Sequence, residues 1–61
     1  MNFKVGDVVR LIGGHTLMTV SSVDCFVGDP TVLLECVWFE GYTLKRAQHP
    51  QGYFEHANPI R

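Results

Sequence analysis

Glycine and proline interrupt this chain at short, regular intervals. They lie at Gly6, Gly13, Gly14, Gly28, Pro30, Gly41, Pro50, Gly52 and Pro59. The segments between them are rich in valine, leucine, threonine and aromatic residues, which favours strands joined by turns. A chain of 61 residues has room for one small core. The spacing therefore predicts a single all-β domain over residues 1–61.

The segments predict about five short strands. Four are expected over residues 7–12, 17–23, 32–39 and 43–46, and a last short one within residues 53–60. Residues 25–27 extend the second strand in this reading, and Met18, Val20 and Ser22 share one of its faces. The polar segment "AQHPQG", residues 47–52, is predicted to be a loop because it carries Pro50 and Gly52.

Five short strands are too few for a two-layer sandwich, but one strongly bent sheet can close on itself and leave few open edges. We therefore predict a small SH3-like, partly open barrel. Its core is expected to consist of the inward-facing apolar residues, which are Val5, Val9, Leu11, Met18, Val20, Leu34, Cys36, Trp38, Leu44 and Phe54.

The third predicted strand is apolar on both of its faces. The two-residue period places Cys36 and Trp38 in the core and leaves an outer row in which only Glu35 is polar. Outer positions are normally polar, so this row either packs under the segment "AQHPQGYF" or contacts another chain. With the nearby aromatic residues, the predicted interaction surface is Leu33, Val37, Phe39, Tyr42 and Tyr53.

Four stretches of the chain, "FKVGDVVRLIGG", "LMTV", "LLECVWFEGY" and "KR", occur in an order that resembles the YodC-type family of small bacterial proteins. The resemblance implies a small β-barrel and brings no established activity, substrate or catalytic residue. The opening "VGDVVRL" is also similar to the first strand of KOW modules, which are SH3-like domains of ribosome- and transcription-associated proteins. That similarity supplies an alternative function, weak nucleic-acid binding.

The residue types that carry chemistry show no spacing typical of a site. The candidate metal ligands Cys25, Cys36, His15, His49 and His56 include no close pair, so we expect no metal and no cofactor. Cys25 with His15 or His56 is the one nucleophile–base pair to consider, and a domain of this size rarely encloses the pocket it needs. We predict two free thiols, with Cys36 buried, and no enzymatic activity.

Charge and hydropathy limit the partners. The net charge is −1 and the five cationic residues are scattered, so nucleic acid is not an expected partner. No apolar run reaches the roughly 18 residues of a membrane span and no secretory signal is recognisable, which predicts a soluble, cytoplasmic protein. We expect a non-enzymatic protein-interaction or accessory module whose partner is another protein or a second copy. If the function is instead weak nucleic-acid binding, Lys45 and Arg46 are expected to contact phosphates while Phe39 and Tyr42 stack on bases.

Overall fold

The computed structural model describes residues 3–57. They form one antiparallel sheet in the order β4-β3-β2-β1-β5. The strands are β1 (Val8–Leu11), β2 (Met18–Phe26), β3 (Asp29–Glu40), β4 (Thr43–Pro50) and β5 (Phe54–His56), and a 3-10 turn (Gln51–Tyr53) precedes β5. The prediction of a small all-β, SH3-like, partly open barrel with about five strands is confirmed. Residues 58–60 of the predicted last segment lie outside the described residues.

The hairpin between β3 and β4 fixes the register of the longest strand pair. Its loop is Gly41–Tyr42, with Gly41 at φ 66° in the first loop position, as type II′ turns require. Pairing then runs without a break from Glu40 opposite Thr43 to Leu33 opposite Pro50. The loop predicted over residues 47–52 is wrong for its first four residues, because the ladder with β3 continues through this polar segment.

A β-bulge interrupts the pairing of β2 with β3. Val20 lies opposite Cys36 and Ser22 lies opposite Glu35, so Ser21 is the extra residue. The Ser21 hydroxyl donates a hydrogen bond to the Glu35 carbonyl oxygen at 3.0 Å. The bulge moves Ser22 to the outer face, so the expectation that it shares a face with Val20 is wrong. A bulge also bends its strand, which helps a short sheet to close.

The core lies between the bent halves of the sheet. Its buried members are Phe3, Val9, Met18, Val20, Leu34, Cys36 and Phe54, and the partly buried residues packed against them are Leu11, Val23, Val32 and Trp38. Eight of the ten predicted core residues therefore belong to the core or pack against it. Phe3 is a core residue that the sequence analysis missed, and its ring stacks on His56 with centroids 4.4 Å apart.

Two predicted core residues are exposed instead. Val5 is 63% exposed because it lies in a turn, which the Asp7 N–H closes by donating to the Lys4 carbonyl oxygen at 3.0 Å. Leu44 is 48% exposed because the two-residue loop places it opposite Phe39, on the outer face. Both predictions are therefore wrong, and in each case the turn decides the outcome.

The barrel is held together at its seam by side chains rather than by a ladder. Within residues 3–57, β4 pairs only with β3 and β5 pairs only with β1. The His49 ring of β4 lies 6.0 Å from the Phe54 ring of β5 and stacks on Tyr53 at 5.6 Å. These aromatic contacts close one end of the seam and leave the outer edge of β4 without a partner strand in the described chain. No helix of the described residues is long and apolar enough to cross a membrane.

Candidate interaction surfaces

An exposed apolar group lies at the β3–β4 hairpin. Phe39 and Leu44 are directly opposite each other on the outer face, and they are 71% and 48% exposed. Tyr42, in the adjoining loop, is fully exposed. We call these three residues the hairpin patch. Phe39 and Tyr42 were predicted from the sequence, and a two-residue loop places Leu44 opposite the outward-facing Phe39.

The remainder of the predicted outer row is more enclosed. Val37 is half-buried between Thr19 of β2 and Arg46 of β4, and Leu33 is half-buried beside Pro50. Among residues 3–57, both side chains belong to positions that have a paired strand on either side. Phe54 faces the core and is 1% exposed, so it does not cover the outer row.

Tyr53 belongs to a different region from the hairpin patch. It stacks on His49 with the two rings nearly parallel, and its carbonyl oxygen accepts a hydrogen bond from the Ile12 N–H at 2.9 Å. His49 lies opposite Leu34, in the middle of β3, whereas Phe39 lies near the end of that strand. At about 3.3 Å per residue, roughly 17 Å of strand separates the two sites. Of the five predicted surface residues, only Phe39 and Tyr42 therefore belong to the hairpin patch.

A small pocket opens on the inner face of the sheet, on one side of Trp38. Its volume is about 140 Å³, and it is lined by Leu11, Gly14, His15, Thr16, Met18, Trp38 and Ala47. We call it the Trp38 pocket. Trp38 packs against the core and is half-buried, so it is both a core residue and a pocket wall. Sequence reasoning missed the pocket because β1, the following loop, β2, β3 and β4 all contribute to it.

Lys45 and Arg46 point to opposite faces of β4. Lys45 lies opposite Trp38 on the inner face and Arg46 lies opposite Val37 on the outer face. Each is also near a carboxylate, at 3.8 Å from Glu40 for the Lys45 ammonium and 4.0 Å from Glu35 for the Arg46 guanidinium. The structure therefore does not bring these two cations together into one patch.

The cysteines and histidines lie apart and in different surroundings. Cys36 is buried, and burial raises the pKa of its thiol to about 11, with the nearby Glu35 charge as a smaller cause. Cys25 is exposed on β2 and neither His15 nor His56 is hydrogen-bonded to it in the described chain. His15 lines the Trp38 pocket, and His56 lies 3.2 Å from the Asp7 carboxylate. Across residues 3–57, no three or more His, Cys, Asp or Glu side chains are grouped so that they could hold a metal ion.

Comparison with known proteins identifies one family. Residues 4–58 match the family described as uncharacterized small protein (DUF2158). Neither a curated protein nor a solved structure matches the chain. Because the family match covers all but a few terminal residues, the chain belongs to the DUF2158 family of small proteins.

Proposed function

We propose that the chain is a non-enzymatic protein-interaction or accessory module that binds another protein, or a second copy of itself, through the hairpin patch. The observation that carries this proposal is the adjacency of Phe39, Tyr42 and Leu44, three large apolar side chains that are all strongly exposed. Aromatic and aliphatic residues grouped in this way are typical of the centre of a protein contact.

The surroundings of the hairpin patch suit a protein partner. Arg46, the next outer-face position of β4 after Leu44, lies 4.0 Å from Glu35 and gives the apolar group a polar border on that side, as in many protein interfaces. Three side chains offer only a small contact, so the affinity is modest, in about the micromolar to millimolar range. We also propose that the chain is related to YodC-type proteins and that it acts in the bacterial cytoplasm. The two free thiols fit such a reducing compartment.

Weak nucleic-acid binding is the less favoured function. Phosphate contacts along one strand need cations that share one surface, whereas Lys45 and Arg46 point to opposite faces of β4. A salt titration separates the two functions, because affinity that depends on phosphates falls steeply with salt and an apolar contact hardly changes.

The test compares Phe39→Asp with Phe26→Asp. Phe26 is a matched control because it is also exposed, at 51%, and lies at the other hairpin, at the far end of β3. Sedimentation of both variants and the wild type over a concentration series reports self-association. Affinity capture from bacterial cytoplasm with the same three proteins reports a foreign partner, and a thermal melt of each protein shows that it is folded.

We expect Phe39→Asp alone to lose the contact while it melts like the wild type. The proposal is contradicted if the wild type stays monomeric and every protein that it captures is also captured by Phe39→Asp. Equal loss in both variants contradicts it as well, because the effect then comes from added charge and not from the hairpin patch.

A further inference from the structure

The outer edge of β4 combines three features that together describe a peptide site. It is a long edge, since the eight residues Thr43–Pro50 pair with β3 on one side only within the described chain. An edge strand presents a row of backbone N–H and C=O groups that another extended segment can pair with. The Trp38 pocket lies on the inner side of this edge and the hairpin patch on its outer side.

The Trp38 pocket reaches the edge through Ala47. Ala47 faces inward opposite the buried Cys36, and its methyl group is the contribution of β4 to the pocket wall. Loop residues 14–16 line the same pocket. A strand added beside β4 continues the sheet, so every second one of its side chains points to this inner face, toward the pocket.

The size and lining of the pocket indicate what fits. A cavity of about 150 Å³ lined by apolar side chains admits a molecule of the size of benzene. The volume here is about 140 Å³, and Leu11, Met18 and Trp38 make most of the lining apolar. One leucine, isoleucine, methionine or phenylalanine side chain is therefore the matching group, and a second large side chain does not fit.

The charges of β4 indicate the composition of the rest of the segment. The strand carries Lys45 and Arg46 and no carboxylate of its own. Their contacts with Glu40 and Glu35 are long, at 3.8 and 4.0 Å, and solvent-exposed, so they contribute little and leave both cations available to a partner. A second copy paired edge to edge doubles this positive charge along the new seam, whereas an acidic segment neutralises it.

We infer that the edge of β4 receives an extended, acidic segment of a partner protein as a sixth strand, with one apolar side chain of that segment in the Trp38 pocket. This inference rests on the proposed protein-interaction function and specifies the partner's chemistry. Backbone hydrogen bonds supply the affinity, and the pocket and the two cations supply the selectivity. Outward-facing side chains of the added strand lie beside Leu44 of the hairpin patch.

The test uses a capped hexapeptide of glutamate residues with one central leucine, the leucine–glutamate peptide, titrated into the protein. Trp38 is the single tryptophan of the chain and a wall of the pocket, so its fluorescence reports entry of a leucine side chain. Two further peptides serve as controls: the leucine–lysine peptide has lysine in place of every glutamate, and the other carries N-methyl groups at alternate residues on its hydrogen-bonding edge. We expect the N-methylated peptide to bind about tenfold more weakly or worse.

Three protein variants localise the site. Ala47→Leu fills the pocket from the β4 side and should weaken binding about tenfold by excluding the apolar side chain. Arg46→Glu should weaken it about threefold or more by replacing an attraction with a repulsion. Lys4→Glu makes the same change of charge in the N-terminal turn, away from β4, and should leave binding unchanged. A thermal melt confirms that each variant is folded.

The outcomes separate this inference from the proposed function. No binding of the leucine–glutamate peptide to the folded wild type overturns strand addition, and so does equal binding of the leucine–lysine or the N-methylated peptide. Insensitivity to Ala47→Leu overturns the assignment of the pocket. In each of these cases, a contact that Phe39→Asp abolishes still supports the hairpin patch. Conversely, peptide binding at the edge of β4 together with no effect of Phe39→Asp supports strand addition and contradicts the hairpin patch.

Discussion

The carboxylate of Asp7 lies 3.2 Å from Nε2 of His56 and so connects the N-terminal turn to the last strand. The same Oδ2 atom accepts a hydrogen bond from the Lys4 N–H at 3.0 Å. The Lys4 N–H is the largest cause of a lowered pKa for Asp7, partial burial acts against it, and His56 adds to the lowering. The His56 ring in turn stacks on the core residue Phe3. One carboxylate thus fixes both ends of the described chain.

Stability should therefore depend on the charge of Asp7. Its pKa is lower in the folded protein than the unfolded value of about 3.9, so the stabilisation is complete above that value and is lost as pH falls through the native pKa. Asp7→Asn should be less stable than the wild type at pH 7 and should lose less stability on acidification. Urea unfolding between pH 7 and pH 2 measures both effects. Glu40→Gln, which changes a strongly exposed carboxylate, is the control. Parallel curves for Asp7→Asn and the wild type contradict the prediction.

Substitutions of the two largest inward-facing rings should differ in their effect. Phe54 is 1% exposed and fills the centre of the core, so Phe54→Ala should lower the free energy of unfolding by about 3–5 kcal/mol. Trp38 is half-buried and borders the pocket, so Trp38→Ala should cost about 2 kcal/mol because less packing is lost. Since a domain of this size has about 3–9 kcal/mol in total, Phe54→Ala should be mostly unfolded and Trp38→Ala mostly folded. Thermal and urea melts establish the order, and the reverse order contradicts it.

The inward faces of the strands were predictable because they depend on a local period. Val9, Val20 and Leu34 alternate with polar or outer residues and are fully buried, as expected. The failures lie where a turn or a bulge changes the phase of that alternation. Leu44 faces outward because the hairpin loop has two residues, and Ser22 faces outward because Ser21 is inserted before it. No single-strand pattern contains that information.

The candidate sites were predictable only where one strand supplies them. Phe39 stood out as an apolar residue on an outer face, and the structure places it with Tyr42, as adjacency in sequence requires. The Trp38 pocket depends on Met18, Leu11 and Ala47, which come together only through the pairing of four strands. Tyr53 was grouped with Phe39 by residue type alone, and about half the length of β3 separates the two residues.

The two thiols should react at very different rates. Cys25 is exposed, whereas Cys36 is 0% exposed and burial raises its pKa to about 11. Because the thiolate is the reactive form, a thiol reagent at pH 8 should modify Cys25 alone in the folded protein and both residues in urea. Mass spectrometry of the modified protein counts the labels. Two labels on the folded wild type, or one label on folded Cys25→Ser, contradict the assignment.

Serine substitutions of Cys36 and Cys25 should differ in their effect on the free energy of unfolding, because one residue is buried and the other is exposed. Cys36→Ser places a hydroxyl in an apolar site and should destabilise the fold by about 1–3 kcal/mol. Cys25→Ser should change the free energy of unfolding by less than about 0.5 kcal/mol, since surface substitutions seldom have larger effects. Urea melts of both variants under reducing conditions give the comparison. Equal destabilisation contradicts the difference in burial.

The bulge at Ser21 offers a test of how the sheet closes. The Ser21 hydroxyl donates to the Glu35 carbonyl oxygen at 3.0 Å and lies 3.3 Å from the Glu35 carboxylate, so it supplies a donor where the ladder is interrupted. Ser21→Ala should lower the free energy of unfolding by about 1 kcal/mol because the hydrogen bond from the Ser21 hydroxyl is lost. Ser21→Thr keeps the hydroxyl and favours extended backbone, so it should be as stable as the wild type. Urea melts of the three proteins measure the difference. If alanine and threonine have the same effect, the bulge is maintained by the pairing on either side of it, and the serine hydroxyl has no part in holding it.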